Sequence, residues 1–135
     1  MNTATLTFLV DDDAAYLYGI RKLIEYHHLC DKVVPFENGQ QAMDYIRTHM
    51  DDASMLPDYI LLDLEMPVMD GWQFMEEFML IEPLMARKVT VYIVSSSIDE
   101  RDKQKAKSIS AITDYLVKPM NTQSLREVFQ FVEEG

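Results

Sequence analysis

Short apolar runs alternate with amphipathic stretches along the whole chain, and this alternation restricts its architecture more than any other feature. Residues 6–10 (LTFLV), 33–36 (VVPF), 59–62 (YILL), 89–94 (VTVYIV) and 112–117 (ITDYLV) read as strands, short and rich in β-branched and aromatic side chains. Between them, apolar residues recur at three- and four-residue steps, as helices require. Leu17, Ile20, Leu23 and Ile24 mark a helix over about 14–29, and Ala42, Met43 and Ile46 one over about 40–50. Trp72, Met75, Phe78 and Met79 mark a third over about 71–81; Leu125, Val128, Phe129 and Val132 mark the last, capped by Asn121. A further helix ends near residue 107, with Ser97 and Glu100 at capping-box spacing. It is so polar that only Ala106, Ile98 and Ile109 offer much to bury, which predicts weak docking and mobility.

Strands alternating with helices imply βαβ units and a parallel sheet covered on both faces. The expected fold is therefore α/β, a single (βα)5 three-layer sandwich spanning residues 1–135. Right-handed crossovers leave few strand orders, and the flavodoxin-like order 2-1-3-4-5 is the expectation. Pro35 suits an edge strand. That order puts the tips of the first and third strands side by side, at the rim where ligands bind.

The strand ends carry the chemistry. The first runs into Asp11-Asp12-Asp13, the third into Asp63, the fourth into Ser95-Ser96-Ser97 and the fifth into Lys118. Asp11, Asp12 and Asp63 would meet, and carboxylates so close raise one another's pKa unless a counter-charge is present. An oxygen-only set points to a hard divalent cation, Mg2+ first, with Mn2+ or Ca2+ as substitutes. Asp13 reads as the N-cap of the first helix. A carboxylate nucleophile, a cation, a hydroxyl and a lysine together make a set for phosphoryl transfer.

Other classes are disfavoured. The net charge of −11 lacks the basic face that nucleic-acid binding requires. Neither an apolar run long enough to span a membrane nor a secretory leader is evident, and the single Cys30 reads as core filler in a reducing, cytoplasmic setting. Most of the ten methionines read as core filling. His27, His28 and His49 lie away from every strand tip.

The motifs LVDDD (residues 9–13), LLDLEMPVMDGW (61–72), VSSS (94–97) and DYLVKPM (114–120) resemble, in order and spacing, the receiver domain of two-component response regulators. The resemblance covers essentially the full chain. It implies Asp63 as phosphoacceptor, Asp12 as a direct metal ligand, Asp11 as a direct or water-mediated one, and the Glu65 backbone carbonyl as the remaining protein ligand. Ser95 and Lys118 would contact the phosphoryl group, and Ser95 with Tyr115 would form the switch. Glu65 and Ser97 fall at positions that tune phosphoryl lifetime in that family. Implied partners are a sensor histidine kinase or histidine phosphotransfer protein and an output protein, met by a monomer or a weak phosphorylation-dependent dimer. Two other readings stay open: a haloacid-dehalogenase-like phosphohydrolase, although Glu65 stands where its second Asp is needed, and a phosphorylation-independent receiver scaffold.

Overall fold

The structure, a computed structural model, describes residues 4–134, with side chains described for residues 5–129. The elements are β1 (Ala4–Val10), α1 (Ala14–Tyr26), β2 (Cys30–Phe36), α2 (Gly39–His49), β3 (Tyr59–Leu62), α3 (Gly71–Ile81), β4 (Thr90–Ser95), α4 (Glu100–Lys107), β5 (Ile112–Val117) and α5 (Thr122–Glu134). Short 3-10 turns at Ala53–Met55 and Glu82–Leu84 precede β3 and follow α3. The strands form one parallel sheet in the order β2-β1-β3-β4-β5, as the alternation predicts.

Alternate strand residues divide the core in two. Phe8, Val10, Ile60, Leu62, Val91 and Ile93 pack with α2, α3 and Ala106 of α4. Leu9, Tyr59, Leu61, Tyr92 and Val94 face the opposite way, onto Leu17, Ile20 and Ile24 of α1 and Leu125, Val128 and Phe129 of α5. All four β3 residues are buried, as befits the central strand, whereas β2, which carries Pro35, lies at an edge. Met66, Met69 and Met75 join the core, which supports the reading of methionine as filler.

Several local expectations change. Helix α1 stops at Tyr26 rather than near residue 29, because His28 takes a φ of 52° and ends the helical turn. Cys30 consequently opens β2, buried, with its thiol against the Thr7 hydroxyl at 3.2 Å. The capping box expected at Ser97 and Glu100 does not form. Asp99 is the N-cap of α4, accepting from the Arg101 N–H at 2.9 Å, while the Ser97 hydroxyl donates to Asp102 at 2.7 Å. Asp99 is one residue before the helix, and its carboxylate reaches that first-turn donor without the chain having to double back. As expected, only Ala106 of α4 is buried. The side chain of Val132, read above as part of the apolar face of the last helix, lies outside the described residues.

Asp58 ties the sheet together at the end remote from the strand tips. Its carboxylate accepts from the Thr5 and Leu6 N–H groups at 2.7 and 3.1 Å and pairs with Arg87. Asp58→Ala would leave a half-buried N–H and a guanidinium without their partner, and should cost about 1–3 kcal/mol in urea unfolding. Because the strand tips are untouched, the rate of any phosphorylation at Asp63 should stay within twofold of wild type.

Candidate functional site

Parallel register builds the site. Val10 pairs with Leu62 in the β1–β3 ladder, so the next residues, Asp11 and Asp63, emerge side by side. Backbone bonds continue the ladder past the strand ends: the N–H of Asp11 donates to Phe36 O (3.1 Å), that of Asp63 to Val10 O (2.9 Å) and that of Lys118 to Ser95 O (2.9 Å). Each of these residues therefore starts from a backbone position fixed by its neighbour.

Asp11, Asp63 and Ser95 are buried, at 3%, 6% and 0% exposure, while Asp12 faces solvent. One carboxylate oxygen from each of Asp11, Asp12 and Asp63 can be chosen so that all three lie within 4.8 Å of one another. Three oxygen donors at this spacing, open to solvent on the Asp12 side, fit a hard divalent cation that keeps part of its water shell. Glu65, expected to offer its carbonyl, has its backbone, with that of Leu64, near enough to the Asp63 carboxylate to favour its ionised form. The Glu65 side chain is exposed.

Lys118 supplies the protein's own counter-charge. Its ammonium lies 2.6 Å from Asp11 Oδ2 and 3.7 Å from Asp63 Oδ1, so it pairs with both acids and the shorter contact is to Asp11. The other Asp11 oxygen accepts from the Asp13 N–H at 2.9 Å, which fixes the carboxylate at both ends. Asp13 in turn caps α1 through the Tyr16 N–H at 3.1 Å, as its position predicts. Burial pushes the Asp63 carboxyl up to about 6, and Asp11 adds to this, against Lys118 and the Leu64 and Glu65 backbone.

The loop from β3 to α3 holds Asp63 from behind. Asp70 and Gln73 form a reciprocal capping box at the start of α3, a D-x-x-Q spacing legible in the sequence but not singled out there. Gly71 donates to Leu64 O at 2.9 Å, and a Cβ on it would stand 2.6 Å from Asp63 O and 2.9 Å from Leu64 Cα. Only glycine allows α3 so close to the backbone of the buried acid. In the same loop Val68 is held at φ 72°, a strained setting for a β-branched residue.

At the β4 tip, Ser95 Oγ accepts from the Ser97 N–H at 3.1 Å. The carbonyl of Ser97 accepts from the Tyr115 hydroxyl at 2.9 Å, so the two expected switch residues meet on one residue between them. Ser97 thereby touches Ser95, Tyr115 and, through Asp102, α4. Sequence reasoning also missed Tyr16, whose ring lies 4.2 Å from the Lys118 ammonium. No motif marks it, because the contact joins residues 102 positions apart.

A family model described as the response regulator receiver domain matches residues 7–130. A solved two-component response regulator from Cytophaga hutchinsonii superposes with a TM-score of 0.88 at 25% identity, covering 98% of this chain and 99% of that one. The phosphorylated cyanobacterial phytochrome response regulator RcpA is 30% identical, with a TM-score of 0.75 over 96% of this chain and 91% of its own. PilH of Pseudomonas aeruginosa is 28% identical over 94% of this chain and 96% of its length. Other relatives are longer: this chain spans about a third of several protein-glutamate methylesterases, at 32% of two of them. Among the described residues, no helix is long and apolar enough to cross a membrane.

Two outcomes follow from the geometry. With a folded-state pKa near 6 against about 4 when unfolded, Asp63 retains its proton in the native state over that interval, so its own contribution to native stability falls as pH rises from 4 to 6. Asp63→Asn should therefore stabilise the metal-free protein by about 1–2 kcal/mol at pH 7.5 and by little at pH 4, measured by urea unfolding in chelator. Gly71→Ala forces a backbone shift at Asp63 and should destabilise by about 2 kcal/mol in the same assay.

Proposed function

The chain belongs to the response regulator receiver domain family, and from that premise we propose that it is a phosphorylation-dependent signalling switch with Asp63 as phosphoacceptor. The observation that carries this reading is the convergence of Asp11, Asp12, Asp63 and Lys118 at adjoining strand tips. The donor is a phosphohistidine on a sensor kinase or histidine phosphotransfer protein. A carboxylate oxygen of Asp63 attacks the phosphorus in line, the N–P bond breaks, and the imidazole leaves with the bonding electron pair.

Asp11, Asp12 and Asp63, with the Glu65 carbonyl, would hold a divalent cation, Mg2+ in this reading with Mn2+ or Ca2+ as substitutes, which when bound neutralises phosphoryl oxygens. Lys118, whose ammonium lies 3.7 Å from Asp63 Oδ1, shares that task. Asp63 must be ionised to attack, and the ammonium beside it favours that form.

The new phosphoryl oxygens accept from the Ser95 hydroxyl and draw its oxygen toward Asp63, away from the Ser97 N–H that it accepts from. Freed from Ser95, Ser97 shifts its carbonyl, the acceptor of Tyr115, and its hydroxyl, the donor to Asp102 of α4. Because α4 buries only Ala106, moving it disturbs little core. The surface of α4, β5 and α5 then changes its affinity for an output protein, and a coupling of about 1–3 kcal/mol changes binding roughly 5–150-fold.

Turnover of phosphate esters, as in a haloacid-dehalogenase-like hydrolase, has less support: the position two after Asp63 is Glu65, whose side chain points into solvent. A phosphorylation-independent scaffold leaves the buried acid pair and its lysine without a task. Incubation with acetyl phosphate and Mg2+ should add one phosphoryl group by intact mass, with none added in chelator or in Asp63→Asn. Undiminished labelling of Asp63→Asn would overturn the assignment, and sustained multiple turnover of phosphate esters would favour the hydrolase.

A further inference from the structure

Lys118 carries the one ammonium at the acidic rim among the described residues, and three groups face it. Two are carboxylates, Asp11 at 2.6 Å and Asp63 at 3.7 Å. The third is the ring of Tyr16, with its centroid 4.2 Å from Nζ. We infer that Tyr16 is a positioning residue for phosphoryl transfer, its ring holding the Lys118 ammonium over Asp11 and Asp63. This rests on the reading of Asp63 as phosphoacceptor.

A lysine side chain has four rotatable bonds, and a divalent cation at the three acids would weaken its attraction to Asp11. Without a third restraint the ammonium would then gain by turning out to water. An aromatic face attracts it, excludes water on that side and asks for no proton in return. The placement of Tyr16 is itself prescribed locally. It stands at the third position of α1, and its backbone N–H is held by the Asp13 cap, one residue from Asp12. The same three-residue run that presents acids to the site therefore also aims the ring at the lysine. Its hydroxyl adds no charge: burial foremost, then Asp11 and Asp63, raise the phenol's pKa, so it stays neutral at physiological pH. Tyr16 also lines, with Leu17, Leu61 and Val94, a cavity of about 10 Å³ beneath Asp11 and Asp63. That is room for at most one water behind the acids.

The ring and the hydroxyl are separable. Tyr16→Phe retains the aromatic face, and Tyr16→Leu removes it while filling most of the space. Initial rates of phosphorylation by acetyl phosphate at saturating Mg2+ should stay within about twofold for Tyr16→Phe. They should fall roughly three- to tenfold for Tyr16→Leu, the size of a partly desolvated cation–π contact. In parallel, the Cε methylene resonance of Lys118, assigned by its loss in Lys118→Arg, should carry an upfield ring-current shift in wild type and Tyr16→Phe. That shift should vanish in Tyr16→Leu. A Tyr16→Leu protein with wild-type rate, or with an unmoved Lys118 resonance, would overturn the inference. Equal slowing in Tyr16→Phe and Tyr16→Leu would also overturn it, by assigning the effect to the hydroxyl. Failure of wild type to be labelled at all would instead remove the phosphoacceptor reading and the catalytic part of the inference with it. The resonance of Lys118 still reports, in that case, whether the ring holds the ammonium.

Discussion

The hydrogen-bonded register between β1 and β3 brings two like charges together, and the site is organised around that conflict. Val10 opposite Leu62 leaves Asp11 and Asp63 as neighbours at the rim, both buried. Buried carboxylates at such range cannot both ionise without a nearby cation. Lys118 answers the charge within the protein, and the solvent-facing Asp12 leaves room for a metal to answer it from outside. The raised pKa of Asp63 reflects the same conflict, since burial and Asp11 together outweigh the lysine. A site held in this state is stabilised by any further positive charge brought to the rim.

The support of the rim is rigid on one side and yielding on the other. Behind Asp63, the α3 capping box and the close approach of Gly71 lock the loop against the strand. Beyond Ser95, the chain runs through Ser97 into α4, a helix whose interior contact is a single alanine. A change at Asp63 therefore finds little freedom in α3 and more in α4. The bonds converging on Ser97 give a continuous route from the Ser95 hydroxyl to Tyr115 and Asp102, each step a contact of ordinary hydrogen-bond length. That asymmetry fits the proposed switch, in which the rim stays fixed on the α3 side and yields on the α4 side.

Much of this was legible before any coordinates. The alternation of short apolar runs with helical periods specifies a parallel sheet, because a strand buried on both faces and a helix buried on one leave different apolar patterns. The identities of Asp11, Asp12, Asp63, Ser95 and Lys118 follow from their position at strand ends, which is a local property. Helix ends were less legible. Ser97 and Asp99 both have side chains able to cap, and the choice between them depends on where the β4 tip delivers the chain. His28 ended α1 early through a backbone angle that composition does not encode.

What the sequence determined by itself, then, is the class of fold and the set of reactive groups, since both depend on periodicity and on residues near one another in the chain. What only the tertiary structure decided is which groups share charge. The preference of Lys118 for Asp11 over Asp63, the Tyr16 ring over its ammonium, and the meeting of Ser95 and Tyr115 at Ser97 each join side chains from separate elements. Such contacts fall off over a few ångströms, and spacing along the chain carries no information at that scale.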